Sequence, residues 1–231
     1  MATEVKQVSE KNAEKNADQR VVDRAQNFWS KNSKIIVYSL TVVVLIVGGF
    51  FIYNNYFKAP EEAKANEAIW RAEQYYKIDS FRLALNGDAT TPGFLKVISR
   101  HGGTKAGDLA KFYAGSSYLQ LGDFNNAVKY LKDFSTDVDE LQLRATGLLG
   151  DAYAELGKNG EAVELYKKAG RLMEKDNFNS PEYLFRAGYL YETMNKNKEA
   201  IEMYKEIKEK YPNSQRGFDI DKYLARLGET K

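Results

Sequence analysis

Hydrophobic and polar positions fall into three successive patterns along the chain. The first twenty residues are polar, rich in Lys, Glu, Asn and Ala, with no apolar period. That composition predicts a disordered or fraying tail. From Val21 the pattern changes, with Val22, Ala25, Phe28 and Trp29 at helical spacing. This fits either a short helix on a membrane surface or an N-terminal extension of the segment that follows. That segment, Ile35–Tyr53, holds nineteen residues without a charge in a chain where 29% of residues are charged. As an α-helix it is about 28 Å long, against a bilayer hydrocarbon core of roughly 30 Å. Helices apolar on every face seldom occur in the core of a domain this small.

The second pattern runs from Ala59 to Gly103. Ala59–Pro60–Glu61–Glu62 reads as a helix start, with Pro and acids in the first turn. Ala65, Ala68, Ile69, Ala72, Tyr75, Tyr76, Phe81, Leu83 and Leu85 predict one long amphipathic helix ending at Asn86–Gly87–Asp88, where Gly87 suits a left-handed cap. A short helix over Gly93–Arg100, stopped by Gly102–Gly103, completes a hairpin spanning 59–103. The glycines and lysine at 102–107 lack the order and the preceding strand of a phosphate loop. They read as a loop between two helices.

The third pattern is a repeat. Gly115, Gly150 and Gly188 are each followed three residues later by Tyr118, Tyr153 or Tyr191. Nine residues further come Ala127, Ala162 and Ala200, and four beyond those Leu131, Tyr166 and Tyr204. The offsets are 35 and then 38 residues, a period that marks a helical solenoid. Each unit makes sense as two antiparallel helices: Gly permits close approach, the Tyr three residues on fills the space beside it, and Ala lies where the backbones are nearest. Gly122, Gly157 and Asn195–Lys196–Asn197 supply the turns. Pro212 closes the third unit, and Ser214 caps a last helix carrying Phe218, Ile220, Tyr223, Leu224 and Leu227.

Charge and composition narrow the picture. The first 57 residues carry seven basic and five acidic groups, so the remainder holds 27 of each and is neutral. A balanced domain gives no electrostatic reason to expect nucleic acid. Around the apolar run, Lys15, Arg20, Arg24, Lys31 and Lys34 precede it and Lys58, Lys64 and Arg71 follow. The bias predicts a cytoplasmic N-terminus and a C-terminal part on the far side. Thirty-four preceding residues and the Ala59–Pro60 context argue for an uncleaved anchor rather than a signal peptide. With no cysteine and only His101, thiolate or histidine metal sites and His-dependent triads are not expected. No catalytic residue, cofactor or metal ligand is assigned.

The Gly, Tyr, Ala and aromatic positions, with Pro212, resemble the tetratricopeptide repeat over 108–214, most closely in LLGDAYAELGKNGEAVELYKKA of the second unit. The signature Trp is absent; Lys111, Thr146 and Leu184 stand in its place. The resemblance implies an all-α fold. One transmembrane helix (35–53) follows a 1–34 tail, and then come the 59–103 hairpin, repeats at 108–142, 143–180 and 181–214, and a capping helix at 215–231. It also implies a peptide-binding inner groove. By repeat position that groove is lined by Phe112, Ser116, Leu119, Arg144, Asp151, Phe185, Tyr189 and Glu192, with Leu109, Gln120, Gly147, Ala154, Glu155, Glu182 and Thr193 at the remaining sites. Either the groove is open to an extended or helical peptide, or the 59–103 hairpin fills it and makes Phe112 and Leu119 core. Phe112 and Ser116 replace the Lys and Asn by which related domains clamp a chaperone's C-terminal carboxylate.

The order of parts is similar to the YfgM-type ancillary subunits of the bacterial Sec translocon. That resemblance implies a non-catalytic adaptor at the inner membrane, its repeats periplasmic, with translocon subunits, periplasmic chaperones or exported clients as partners. An envelope scaffold for cell division or wall assembly, and an import receptor with cytosol-facing repeats, are the competing readings.

Overall fold

The computed structural model describes residues 2–229 and divides into two compact units, Met1–Ala59 and Pro60–Lys231. Met1, Thr230 and Lys231, the extremes of the expected tail and capping segment, lie outside the described residues. Among the described residues there is no strand, only an isolated antiparallel bridge between Gly87 and Pro92.

The first unit is one long helix, α1 (Ala2–Ile52), followed by a π-helical segment, Tyr53–Lys58. The expectation of a disordered tail over 1–20 is corrected here. Ala, Glu, Lys and Gln are good helix formers, and their summed propensity continues the helix N-terminally. The stretch around Phe28 and Trp29 accordingly runs into the apolar run without a break. Within that run no side chain is buried, and Ile35, Leu40, Val44 and Phe50 are each more than half exposed. By length and composition it is sufficient to cross a membrane. Its Thr41 hydroxyl donates to the Val37 carbonyl at 2.9 Å, so this polar group is satisfied within the helix. In the π-helical segment the Ala59 N–H reaches back five residues to Asn54, and Tyr53 stacks on Phe57 at 6.3 Å.

The second unit is helical throughout. α2 (Ala59–Lys77), α3 (Phe81–Asn86) and α4 (Phe94–His101) precede three antiparallel pairs. The pairs are α5 (Lys105–Gln120) with α6 (Phe124–Lys132), α7 (Asp139–Glu155) with α8 (Asn159–Leu172), and α9 (Asn179–Thr193) with α10 (Asn197–Lys210); α11 (Gln215–Arg226) packs last. The single long helix expected over 60–85 is two helices. Asp79 takes φ 56°, and the Asp79 and Ser80 N–H groups bond the Tyr76 and Tyr75 carbonyls. This is a Schellman closure formed without glycine, because Asp tolerates the left-handed region.

The same closure ends the first helix of every pair. Gly122, Gly157 and Asn195 hold φ of 76°, 70° and 59°, and each passes the chain directly into the partner helix. Where the sequence suggested that Tyr118, Tyr153 and Tyr191 fill the space beside the repeat glycines, the filling residue comes from the second helix. An added Cβ at Gly115 would lie 2.5 Å from Leu131 Cγ, at Gly150 2.7 Å from the Tyr166 ring, and at Gly188 2.5 Å from the Tyr204 ring. Ala127, Ala162 and Ala200 are fully buried at the same crossings. On α11, Ile220 and Leu224 are buried, whereas Phe218 faces out.

The loop before α5 is where α2 joins the array. Thr104 caps α5, its hydroxyl accepting from the Gly107 N–H at 2.9 Å. The Glu62 carboxylate accepts from the Lys105 and Ala106 N–H groups, both at 3.0 Å. A helix N-terminus favours an anion, and here a side chain of the same chain occupies it. Glu61 meets His101 Nδ1 at 2.6 Å beside it.

Two stability predictions follow from these contacts. Gly150→Ala forces the buried Tyr166 ring to move and costs about 1–3 kcal/mol. Gly160→Ala, at a helical site with nothing within 4 Å, is neutral or raises stability by about 0.5 kcal/mol. Thermal melting of the detergent-solubilised chain separates them; equal shifts would contradict the crossing geometry. By the same measurement Glu62→Ala costs about 1–2 kcal/mol as a lost cap. Glu67→Ala, which loses only the exposed pair with Arg71 at 2.8 Å, costs about 0.3 kcal/mol.

Candidate protein-binding groove

The inner helices α5, α7 and α9 with the start of α11 line a cavity of about 540 Å³. Its floor is apolar and aromatic (Phe112, Leu148, Tyr183) and its rim carries Arg144, Glu182, Arg186 and Arg216. A shallower hollow of about 470 Å³ involves Leu119, Asp151, Ala154 and Tyr166, and a third of about 210 Å³ involves Phe185 and Tyr189.

Of the sequence-derived groove residues, Phe112, Ser116 and Arg144 line the first hollow, Leu119 and Asp151 the second, and Phe185 and Tyr189 the third. Phe112 and Ser116 are buried, Phe112 against Phe134 at 5.6 Å and Tyr113 at 5.5 Å. Tyr76 of α2 comes down on this end of the groove. Its hydroxyl lies 2.8 Å from Ser116 Oγ, and its ring packs edge-on against Tyr113 and Phe94. The upstream helices therefore reach the groove at the first pair, where Tyr76 joins Phe112, Ser116 and Gln120 in lining the main cavity. Leu119 is half-buried in the core shared by α5, α6 and α7. Gly147 is covered by the Tyr183 ring, which occupies the place of a side chain.

Phe185 is buried, with the Arg216 guanidinium 3.8 Å above its ring centre and Tyr223 edge-on at 4.8 Å. Its cation–π cover replaces an open aromatic wall. Tyr189, one turn on, is 52% exposed and stacks on Phe185 at 6.3 Å. Glu192 lines none of these hollows; it accepts from the Tyr204 hydroxyl and from Arg226 at 2.7 Å.

Most of the groove's charges are paired. Asp151 accepts from the Tyr166 hydroxyl at 2.7 Å and from Arg186 at 2.7 Å. Arg186 also reaches Glu182 at 3.1 Å, and Glu182 takes Arg216 at 2.6 Å. Burial pushes the Tyr166 hydroxyl upward and Asp151 adds to it, so Tyr166 stays a proton donor. For Glu182, burial acts to raise the carboxyl, but the hydrogen bonds from Arg216 and Arg186 outweigh it and hold it below its ordinary 4.5. Repeat counting placed Arg144, Asp151 and Glu182 at the groove but not Arg186, Arg216, Tyr76 or Phe178. Arg216 and Tyr76 lie outside the three repeats, and no local pattern marks them.

Among the described residues no three His, Asp or Glu side chains converge to hold a metal ion. Fixed charges, aromatic faces and hydrogen-bonding tips give this surface the means of recognition.

Because Glu182 titrates below 4.5, its ion pairs stabilise fully above that pH and are lost as pH falls through the lower folded value. Glu182→Gln should thus lower Tm at pH 7, and its deficit relative to the native chain should shrink as pH falls below 4.5. Circular dichroism melts across pH test this, and a constant deficit would contradict it.

Residues 114–174 and 182–214 each match a family described as tetratricopeptide repeat. No curated protein matches the chain in sequence. Among solved structures, that of MamA is similar with a TM-score of 0.53 and 19% identity, covering 69% of this chain and 85% of its own. The nearly identical TPR-like repeats of Podosopora anserina are similar with a TM-score of 0.53 and 15% identity, covering 73% and 87%. At these identities the likeness is one of fold. The chain is an all-helical protein that carries tetratricopeptide repeats, a scaffold suited to protein–protein interaction.

Proposed function

We propose that this chain is a non-catalytic adaptor anchored in a bacterial inner membrane, its N-terminus cytoplasmic and its repeats periplasmic. There it serves protein export as an ancillary component of the translocon and the periplasmic chaperone network. The observation that carries the reading is the apolar stretch of α1, which has no buried side chain in a chain whose other unit is a folded repeat array. A helix of that kind in water exposes a large apolar surface, and a bilayer covers it. The excess of Lys and Arg before the stretch supports the orientation. The cavity beside Arg144 and the exposed Tyr189 support the partner-binding role. Export partners are drawn from the YfgM-type order of parts.

Protease added to spheroplasts should remove the repeats and leave a membrane-protected fragment containing α1; protection of the repeats would overturn the topology. A photo-crosslinker replacing Tyr189, activated in native membranes, should capture translocon subunits, periplasmic chaperones or exported clients. Capture of cell-division or wall-assembly proteins alone would instead favour an envelope scaffold.

A further inference from the structure

The charge pattern of the main cavity specifies more than a generic peptide groove. Arg186, Glu182 and Arg216 line the cavity and, with Asp151 of the second hollow, form an alternating chain of ion pairs in which two positive and two negative charges cancel. Arg144 lines the same cavity, is exposed, and has no carboxylate within 4.0 Å among the described residues. The cavity thus presents one guanidinium without an ion-pair partner, beside apolar side chains, uncharged polar groups and charges already paired.

The same cavity carries an aromatic with little cover. Phe178 is 82% exposed at the cavity rim. It is held out by an Asp176 side chain that accepts from the Phe178 N–H at 2.8 Å and the Asn179 N–H at 2.9 Å. Gln120, Asn177 and Gln215 line the cavity too, and among the described residues their amides make no hydrogen bond within the protein. Free carboxamides satisfy both the N–H and the C=O of a passing backbone, which suits the interior of a peptide better than its end. The volume of about 540 Å³ seats a few side chains rather than a folded surface.

We propose that this cavity binds an extended internal segment of a partner protein in which an Asp or Glu adjoins a large apolar residue. Arg144 pairs the carboxylate and Phe178 covers the apolar side chain. The inference rests on the reading of the groove as a partner-binding surface. Arg186 and Arg216 are already engaged, so specificity for the acid falls on Arg144. A guanidinium takes a carboxylate through two parallel hydrogen bonds, which fixes the segment's register as well as adding affinity.

The test uses the full-length chain in detergent and fluorescent peptide pools with randomised flanks and amidated ends. One pool is fixed at Asp-Phe, one at Asn-Phe and one at Lys-Phe; a fourth has its only carboxylate at a free C-terminus. The Asp-Phe pool should bind about tenfold more tightly than the Asn-Phe pool, equivalent to about 1.4 kcal/mol. Arg144→Gln should remove that preference, and Arg144→Glu should transfer it to the Lys-Phe pool. Phe178→Ser should weaken binding of both Asp-Phe and Asn-Phe pools. Arg144 and Phe178 are exposed, so unchanged melting curves will confirm intact variants. Equal binding of the Asp and Asn pools, insensitivity to Arg144→Gln, or preference for the free C-terminus would each overturn the proposal. So would failure of every pool to bind; if the crosslinker at position 189 still captures a partner, the adaptor reading stands and only the acidic-segment specificity falls.

Discussion

Three glycines, one on the first helix of each pair, set the spacing on which the rest of the array depends. Each leaves room where the second helix inserts a large side chain: Leu131 against Gly115, Tyr166 against Gly150, Tyr204 against Gly188. Packing is the immediate result, since buried side chains at native density lose free energy with any gap or overlap. In the second and third pairs there is a further result. The ring passes beneath the first helix and its hydroxyl emerges on the far side, where Tyr166 fixes Asp151 and Tyr204 fixes Glu192. Those carboxylates then hold Arg186 and Arg226. The crossing that builds the core also sets the positions of the surface charges.

The first pair has Leu131 at that position and therefore no hydroxyl to deliver. Its inner face carries Phe112 and Ser116 in place of an ion pair, and the upstream helices pack on α5 through Tyr76, which meets Ser116 and Tyr113, and Phe94, which stacks on Tyr113. The groove is accordingly asymmetric, met by Tyr76 of α2 at the N-terminal end and charged from Arg144 to Arg216.

Features that depend on neighbours along the chain were legible in the sequence. Gly122, Gly157 and Asn195 had to take the left-handed region, Ser214 had to cap α11, and the 35- and 38-residue offsets had to stack. Features that depend on contacts across the chain were not. Asp79 ends α2 where apolar periodicity continues, because a single left-handed residue outweighs a weak amphipathic pattern. Phe185 has the spacing of a groove wall, yet Arg216, thirty-one residues later, covers it. Periodicity identifies the face a side chain occupies but not the residue that closes over it. For that reason two thirds of the residues lining the main cavity, including Tyr76, Phe178 and Arg216, escaped a reading by repeat position.

The bond between Glu62 and the backbone of α5 has a mechanical meaning. Glu62 lies two residues after Pro60, where the second unit begins. Tension arriving along the chain from the residues before it meets Glu61 and then this carboxylate. Two N–H groups of α5 resist the pull together with the Glu61–His101 contact. The load therefore passes into the first repeat before it can peel α2 from its packing. A pull that displaced α2 would reach the groove too, since Tyr76 of α2 lines the main cavity.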